Sequence, residues 1–249
     1  MHARLKKKFG QNFLVDQNIL RKLQNLITNE DNNILEIGAG SGNLTKFILE
    51  KNPKNLSIVE IDNDWFEILK LKFKDFDNLN ILNYDILENI NILEKNFELV
   101  ISNLPYNISS QVLIKLSTTK FRPKKMILMF QKEFADRLLE KNLNSLNSII
   151  QCFYSIKKKF EISNQSFFPP PKIKSTVIEF NLLNDFYISE DDITSFIEFK
   201  KNIFNKKRKT IGSILKNYKE INLPSSLSKS RAENLSLEEF VNIYNMINL

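Results

Sequence analysis

The stretch ILEIGAGSG, at residues 34–42, determines how the rest of the sequence is interpreted. Its first four residues form a short apolar run typical of a buried strand, and three glycines follow at alternate positions. Glycine allows a backbone to turn sharply and to approach a ligand closely. A helix is predicted directly afterwards, over residues 43–50. The sequence thus places a glycine-rich turn between a strand and a helix.

Strand and helix patterns alternate around this stretch, which is typical of βαβ units and a parallel sheet. Two later β-rich runs, residues 154–162 and 175–180, have no predicted helix between them, so we expect an antiparallel strand to close the sheet. From about Asp185 the pattern is helical only. We therefore predict an α/β domain over residues 1–183, with a basic arm at 1–16, and a small all-helical domain over 184–249.

Bulk composition narrows the classes of function. The 249 residues are 42% hydrophobic and carry a net charge of +7, which suggests a polyanionic partner or simply reflects abundant lysine. One cysteine, Cys152, and one histidine, His2, rule out a disulfide within the chain, a histidine-based triad and a Cys/His metal site. No apolar run approaches the roughly 20 residues that span a bilayer. We expect a cytoplasmic protein without a metal and without a membrane partner.

Acidic residues at two further strand ends suggest a nucleoside cofactor. Glu60 ends the strand after the glycine turn, where a carboxylate can accept hydrogen bonds from both ribose hydroxyls. Asp85 follows the third strand, where it can accept from an adenine amino group. A dinucleotide-binding fold has the same layout, but the order E-x-G-x-G-x-G differs from G-x-G-x-x-G. We therefore predict S-adenosylmethionine as the cofactor, with Gly38 and Gly40 in its turn.

The next strand ends in Asn103-Leu104-Pro105-Tyr106, which suits an adenine amine. That amine is a poor nucleophile because its lone pair is delocalised into the ring. The Asn103 amide oxygen and a backbone carbonyl beside Pro105 can accept from its two N–H groups and return density to nitrogen. Proline presets the backbone geometry. Tyr106 offers a face for stacking, worth roughly 1–3 kcal/mol per base.

The motifs together resemble the ribosomal RNA adenine N6,N6-dimethyltransferase family, and within it the small-subunit dimethyladenosine transferase group. The resemblance runs from Phe9 to about Asn245 and rests on six ordered segments. These read FGQNFL at 9–14, EIGAGSG at 36–42, NLPYNIS at 103–109, QKEFADR at 131–137, FFPPPK at 167–172 and FNKKRKT at 204–210. It implies a class I methyltransferase fold with a doubly wound, mostly parallel seven-stranded sheet and an antiparallel final strand.

The resemblance also implies roles for individual residues. The family's cofactor contacts fall on Asn12, Leu14, Gly38, Glu60, Asp85 and Asn103, of which Asn12 and Leu14 come from the resemblance alone. The family further implies that Phe167 stacks on the base opposite Tyr106, a choice between Phe167 and Phe168 that the residues by themselves leave open. The implied substrate is a pair of adjacent adenosines in the 3′-terminal hairpin loop of 16S rRNA, within a 30S particle or its precursor. We expect a monomer.

Lysine clusters suggest the surface that binds RNA. We predict phosphate contacts from an N-terminal cluster, Lys6, Lys7 and Lys8, and from a C-terminal cluster, Lys206, Lys207, Arg208 and Lys209. Further lysines lie at 157–159 and at 200–201. In one region, residues 144–148, the sequence departs from the family's aromatic-Gly-x-Leu-Ser pattern, which puts the local geometry there in doubt.

Three alternatives remain open at this stage. A 23S rRNA adenine methyltransferase of the macrolide-resistance type shares the cofactor turn and the base motif. A DNA adenine methyltransferase is less favoured because no target-recognition domain is recognisable. A non-catalytic ribosome assembly or transcription factor on the same fold would be expected to lack the intact Glu60, Asn103 and Tyr106.

Overall fold

A computed structural model describes residues 11–216 and 223–248. The strands, in chain order, are β1 (Phe13–Leu14), β2 (Asn33–Ile37), β3 (Asn55–Val59), β4 (Leu79–Leu82), β5 (Leu99–Ser102), β6 (Lys125–Gln131), β7 (Tyr154–Ile162), β8 (Phe167–Phe168) and β9 (Ser175–Leu182). The helices are α1 (Gln17–Gln24), α2 (Asn43–Leu49), α3 (Asn63–Lys72), α4 (Ser109–Thr118), α5 (Lys132–Leu139), α6 (Asn147–Ile150), α7 (Ile193–Phe204), α8 (Ile211–Leu215), α9 (Ser225–Lys229) and α10 (Leu237–Asn248).

Seven strands form one sheet in the order β4-β3-β2-β5-β6-β9-β7. Strands β4, β3, β2, β5 and β6 pair in parallel, whereas β9 pairs with β6 antiparallel. This confirms the predicted α/β fold of the class I methyltransferases and its antiparallel final strand. The strand order reverses between β2 and β5, and doubly wound sheets bind ligands beyond the carboxyl ends of the strands at such a point.

The central strands are apolar on both faces because helices cover both faces of a parallel sheet. Ile34 and Leu35 of β2 are both fully buried, as are Leu99 and Val100 of β5. Consecutive buried residues explain why these strands read as continuous apolar runs rather than as alternating patterns.

A second, two-stranded sheet was not predicted. Strand β1 pairs with β8 antiparallel, with Phe13 opposite Phe168 and Leu14 opposite Phe167. The pairing continues from Val15, whose N–H donates to the Ser166 carbonyl at 2.9 Å. Two residues carry no recognisable periodicity, so this pairing is visible only in three dimensions. It brings the FGQNFL and FFPPPK segments together.

The described chain divides into two compact units that are not consecutive in sequence. One contains the chain up to Ala135 together with Lys157–Leu182, and the other contains Asp136–Ile156 and the chain from Leu183 onward. The sequence predicted one boundary near residue 183 and placed Asp136–Ile156 in the first domain, and that division into domains stays a prediction. Backbone hydrogen bonds attach this segment to the later chain: Leu183 N–H donates to the Phe153 carbonyl at 2.9 Å, and Tyr187 N–H donates to the Cys152 carbonyl at 3.1 Å.

Two asparagines organise the segment at 144–148 that departs from the family pattern. The Asn144 side-chain oxygen accepts from the N–H groups of Leu146 and Asn147, at 2.9 and 3.0 Å. The Asn147 side-chain oxygen accepts in turn from the Asn144 N–H at 2.8 Å. Asparagine side chains commonly stabilise turns in this way. The departure therefore leaves an ordered turn that leads into α6.

Candidate active site

A cavity opens at the carboxyl ends of β2, β3, β4 and β5. Nine of the predicted site residues line it: Asn12, Gly38, Gly40, Glu60, Asp85, Asn103, Leu104, Pro105 and Tyr106. They come from five separate segments of the chain, which the parallel sheet brings to one edge. Each segment follows or precedes a strand, so the sheet order alone accounts for most of this convergence.

The glycine turn has a backbone that other residues adopt only under strain. Gly38 has φ of 70° and Gly40 has φ of 52°, both in the left-handed region. A Cβ built on Gly40 would lie 2.5 Å from Cε1 of Phe13, so the ring occupies the space that a side chain would need. The ring of Phe13 also packs edge-on against Trp65, with centroids 4.9 Å apart. Strand β1 thus closes over the turn.

Glu60 is held at the floor of the cavity by backbone groups. Its two carboxylate oxygens accept from the N–H of Gly40 at 2.8 Å and from the N–H of Asp62 at 2.9 Å. The side chain is 5% exposed, and this burial raises the pKa of Glu60 above its usual value. A carboxylate offers about four lone-pair sites, so both oxygens can still accept from ligand hydroxyls.

The ends of β3 and β4 are tied to each other beside the cavity. Asn83 Nδ2 donates to the Glu60 backbone carbonyl at 2.8 Å. Asp85 Oδ1 accepts from the Leu87 N–H at 2.8 Å, which fixes the orientation of that carboxylate. Its second oxygen gives Asp85 the capacity to accept from an amino group. Glu60 and Asp85, the two acids that we expect to bind a nucleoside, are therefore held in fixed orientations at the same cavity.

The Asn103 side chain has one orientation that its partner dictates. Its Nδ2 donates to the backbone carbonyl of Asn12 at 2.9 Å. Because a carbonyl oxygen can only accept, the amide nitrogen must face Asn12, and the amide oxygen is left to accept from another donor. The hydrogen bond to Asn12 thus orients the Asn103 oxygen, the acceptor that we expect for an amine N–H. Nothing in the sequence indicated this hydrogen bond.

Tyr106 is anchored through its hydroxyl group. Its Oη lies 2.5 Å from Oγ of Ser175, the first residue of β9. Burial raises the pKa of the Tyr106 phenol above its usual value. Pro105 lies against the glycine turn, since a Cβ on Gly38 would sit 3.8 Å from the proline Cδ. The contacts with Ser175 and with Gly38 therefore hold Tyr106 and Pro105 from opposite sides of the loop that contains them.

Two predicted residues do not line the cavity. Leu14 is buried, and its backbone carbonyl accepts from Asn43 Nδ2 at 2.9 Å. Phe167 is only 3% exposed and packs in the core cluster that also contains Leu14, whereas Phe168 is 61% exposed. A stacking role for Phe167 would require its ring to become accessible, and it stays a prediction.

Sequence reasoning missed several lining residues, among them Gln11, Phe13, Ile61 and Tyr84. Ile61 and Tyr84 directly neighbour the predicted acids Glu60 and Asp85, so their positions at strand ends were a usable signal. The sequence places Phe13 only in a basic arm. Its part in the cavity depends on pairing with β8, for which the local sequence gives no signal.

The predicted basic clusters have different outcomes. Lys206, Lys207, Arg208 and Lys209 are all exposed, as phosphate contacts require, whereas Lys6, Lys7 and Lys8 lie outside the described residues. Lys200 is not a surface cation: it is 6% exposed, and its Nζ donates to the Ser145 carbonyl at 2.6 Å. Burial lowers the pKa of Lys200 to about 8.

The lysines of β7 are partly committed to ion pairs. Lys158 Nζ lies 2.7 Å from Glu161, and Lys159 Nζ lies 3.2 Å from Glu179. The first pair lies at the surface and the second is half-buried. Because both lysines already face a glutamate, less positive charge on β7 is available to bind a polyanion.

The cavity residues fit S-adenosylmethionine. Glu60 and Asp85 present acceptors for ribose hydroxyls and an adenine amine, and Gly38 and Gly40 line the same cavity with backbone alone. Within residues 11–216 and 223–248, no three His, Cys, Asp or Glu side chains are grouped so that they could hold a metal ion. No helix in the same residues is both long and apolar enough to cross a bilayer.

Comparison with known sequences decides the family. The sequence matches the profile described as "Ribosomal RNA adenine dimethylase" over residues 2–249. It is 38% identical over 254 residues to the "Ribosomal RNA small subunit methyltransferase A" of Malacoplasma penetrans, a match that covers 94% of this chain and 89% of the relative. The chain belongs to the ribosomal RNA adenine dimethylase family. It is therefore an enzyme that methylates adenine in ribosomal RNA.

Solved structures agree with the dimethylase fold. A dimethyladenosine transferase from Plasmodium falciparum superposes with a TM-score of 0.81 at 26% identity, covering 94% of this chain and 97% of that one. The 23S rRNA methyltransferase ErmE superposes with a TM-score of 0.73, covering 96% of this chain and 100% of the other. At 16% identity the second likeness shows the shared fold alone.

Proposed function

We propose that this dimethylase transfers methyl groups from S-adenosylmethionine to the N6 amines of two adjacent adenosines in the 3′-terminal hairpin loop of 16S rRNA. The substrate is a small-subunit particle or its precursor, so we place the reaction in the cytoplasm, and the enzyme acts as a monomer. The observation that carries the proposal is the fixed orientation of the Asn103 amide, with its oxygen left to accept beside the glycine turn.

The cofactor supplies a methyl group made electrophilic by a positively charged sulfur. Glu60 and Asp85 would hold its ribose and adenine, with Asn12, Leu14, Gly38 and Gly40 around it. Methyl transfer to the amine would need no general base on the protein, because the product nitrogen can lose its proton to water. The protein contributes to catalysis by positioning and orienting both reactants.

The target adenine lies between protein acceptors and an aromatic ring. The Asn103 oxygen and a backbone carbonyl beside Pro105 accept from the two N–H groups and favour a pyramidal nitrogen. Leu104 is 1% exposed, so it anchors the loop within the core. Tyr106 stacks on one face of the base, and Phe167 stacks on the other after its ring becomes accessible.

The choice of the small subunit rests on sequence likeness. Relatives named "Ribosomal RNA small subunit methyltransferase A" are 34–38% identical to this chain, including one from Borreliella burgdorferi that is 34% identical over 258 residues. Phosphate contacts come from Lys206, Lys207, Arg208 and Lys209, which are exposed, and from Lys6, Lys7 and Lys8.

Mass mapping of methylated nucleotides tests the proposal. Small subunits that lack the modification are incubated with the enzyme and S-adenosylmethionine, and their RNA is digested and mapped. We expect two adjacent dimethyladenosines near the 3′ end of 16S rRNA. Methylation of isolated large-subunit RNA without transfer to small subunits would assign the enzyme to the 23S group instead, and binding without any transfer would indicate a non-catalytic assembly factor.

A further inference from the structure

Phe168 carries a large aromatic ring that is exposed to solvent. Its side chain is 61% exposed, while the neighbouring Phe167 is 3% exposed. Successive residues of a strand point to opposite faces, so β8 sends one ring into the core and the other outward. A single exposed hydrophobic residue is ordinary on a protein surface. What distinguishes Phe168 is its position.

The register of the small sheet places Phe168 beside the cavity. Directly opposite residues of an antiparallel pair project from the same face, and Phe168 is opposite Phe13. Phe13 lines the cavity and covers Gly40. The other pair, Leu14 and Phe167, is buried on the opposite face. The outward face of this sheet therefore continues from the cavity wall to Phe168.

The chain that follows Phe168 returns to the cavity. It reaches Ser175, whose Oγ lies 2.5 Å from the hydroxyl of Tyr106. Residues 168–175 therefore begin opposite one cavity-lining aromatic residue and end against another. We call residues 168–175 the rim segment.

The rim segment also carries positive charge. Lys172 and Lys174 are both exposed. An exposed aromatic ring close to cations is the combination with which proteins bind single-stranded nucleic acid, the ring stacking on a base and the cations contacting the backbone. This charge favours RNA over an apolar peptide as the occupant.

We propose that Phe168 stacks on the nucleotide next to the target adenosine, with Lys172 and Lys174 near its phosphates. The inference rests on the proposed function. An adenosine drawn into the cavity leaves its neighbour without a stacking partner, which costs free energy. An exposed ring on the rim segment replaces that lost stacking, and it selects for unstacked loop nucleotides rather than for a particular base.

Steady-state kinetics on undermethylated small subunits test the stacking. Phe168→Ala and Phe168→Leu are compared with the wild type and with Phe168→Trp. We expect the KM for the particles to rise at least about fivefold in the alanine and leucine variants, the lower end of base–aromatic stacking, and to stay near the wild-type value in the tryptophan variant. The kcat at saturating particles and the affinity for S-adenosylmethionine should stay unchanged, which separates stacking from misfolding.

Salt dependence provides a second readout with a matched control. Neutralising Lys172 and Lys174 with glutamine should reduce the slope of log KM against log salt, because fewer counterions are released, whereas Phe168→Leu should leave the slope unchanged. An alanine variant with wild-type KM, or a leucine variant as good as phenylalanine, would overturn the inference while the active wild type upholds the proposed function. A wild type that transfers no methyl group to small subunits would defeat the proposed function, and the inference with it.

Discussion

The side-chain amide of Asn103 donates a hydrogen bond to the backbone carbonyl of Asn12 at 2.9 Å, across 91 positions of sequence. This contact joins the segment before β1 to the loop after β5. It also leaves the Asn103 oxygen as the acceptor for an incoming amine. The cofactor and base motifs are therefore coupled through one amide group.

Removal of that amide should stop catalysis without preventing RNA binding. We expect Asn103→Ala to lower the rate of methyl transfer at least about 100-fold, the scale found when one preorganised polar group is lost from an active site. Asn103→Asp is the matched control: it keeps an acceptor but cannot donate to Asn12, so it should also be strongly impaired. Single-turnover methylation and filter binding of RNA measure the two effects, and full activity in the alanine variant would refute the assigned role.

Replacement of Glu60 should weaken cofactor binding. Glu60→Ala removes a carboxylate whose hydrogen bonds are worth about 1.5–3 kcal/mol each, so we expect at least roughly a 10-fold loss of affinity for S-adenosylmethionine, the smallest effect of losing one such bond. Glu60→Gln keeps the shape but loses the charge, and one of its two polar atoms can only donate. It should therefore fall between alanine and the wild type. Calorimetric titration measures the affinities, and an unaltered value for alanine would count against the role.

A methyl group on Gly40 should displace Phe13. Gly40→Ala forces a Cβ to within 2.5 Å of the ring and places alanine at a φ of 52°. We expect a loss of about 1–3 kcal/mol in the free energy of unfolding, together with weaker cofactor binding. In the double variant Gly40→Ala with Phe13→Leu, we expect the lost free energy of unfolding to be recovered only in part. The clash with the ring is relieved, but the backbone strain at position 40 remains. Urea denaturation of the single and double variants separates the two contributions.

The buried carboxyl of Glu36 should make stability depend on pH. Glu36 is 2% exposed, and burial raises its pKa to about 8 although Thr45 donates a hydrogen bond to it at 2.6 Å. Between the ordinary pKa of a glutamate, about 4.3, and the raised value, the folded state holds a proton that the unfolded state has lost. Stability therefore falls as pH rises through this window and levels off above it.

Glu36→Gln removes this proton and is the natural comparison. The free energy of unfolding of the variant, minus that of the wild type, should increase between pH 5.5 and 8 by up to about 1.4 kcal/mol per pH unit. Above pH 8 the difference should be constant. Urea denaturation over this range measures both proteins, and a difference that does not change with pH would show that Glu36 ionises normally in the folded state.

Neutralising the exposed C-terminal cluster should flatten the salt dependence of RNA binding. We expect Lys206→Gln, Lys207→Gln and Arg208→Gln together to weaken binding and to lower the slope of log K against log salt by about 0.7–0.9 for each phosphate that the protein no longer neutralises. Lys158→Gln with Lys159→Gln is the control, because both lysines are in ion pairs with glutamates. An unchanged slope in the triple variant would exclude these residues from phosphate binding.

Much of the fold could be predicted because its signals are local. The glycine turn, Glu60, Asp85 and the Asn103–Tyr106 loop each lie at a strand end that periodicity identifies, and a parallel sheet gathers such ends at one edge. Strand β7 was predicted with its observed bounds, Tyr154–Ile162, because a run of nine residues carries a clear pattern.

Other features were set by contacts between distant residues. The sequence could not distinguish Phe167 from Phe168, because adjacent phenylalanines have the same local chemistry; pairing with β1 put one in the core and left the other exposed. Lys200 resembled a surface cation beside Lys201, but helix packing buries it against Ser145. Periodicity and turn chemistry are properties of a few neighbouring residues, so the sequence by itself determined the elements and the chemical groups at their ends. Strand register, burial and the orientation of the Asn103 amide depend on partners far away in the sequence, 91 positions between Asn12 and Asn103 and 155 between Phe13 and Phe168, and only the tertiary structure decided them.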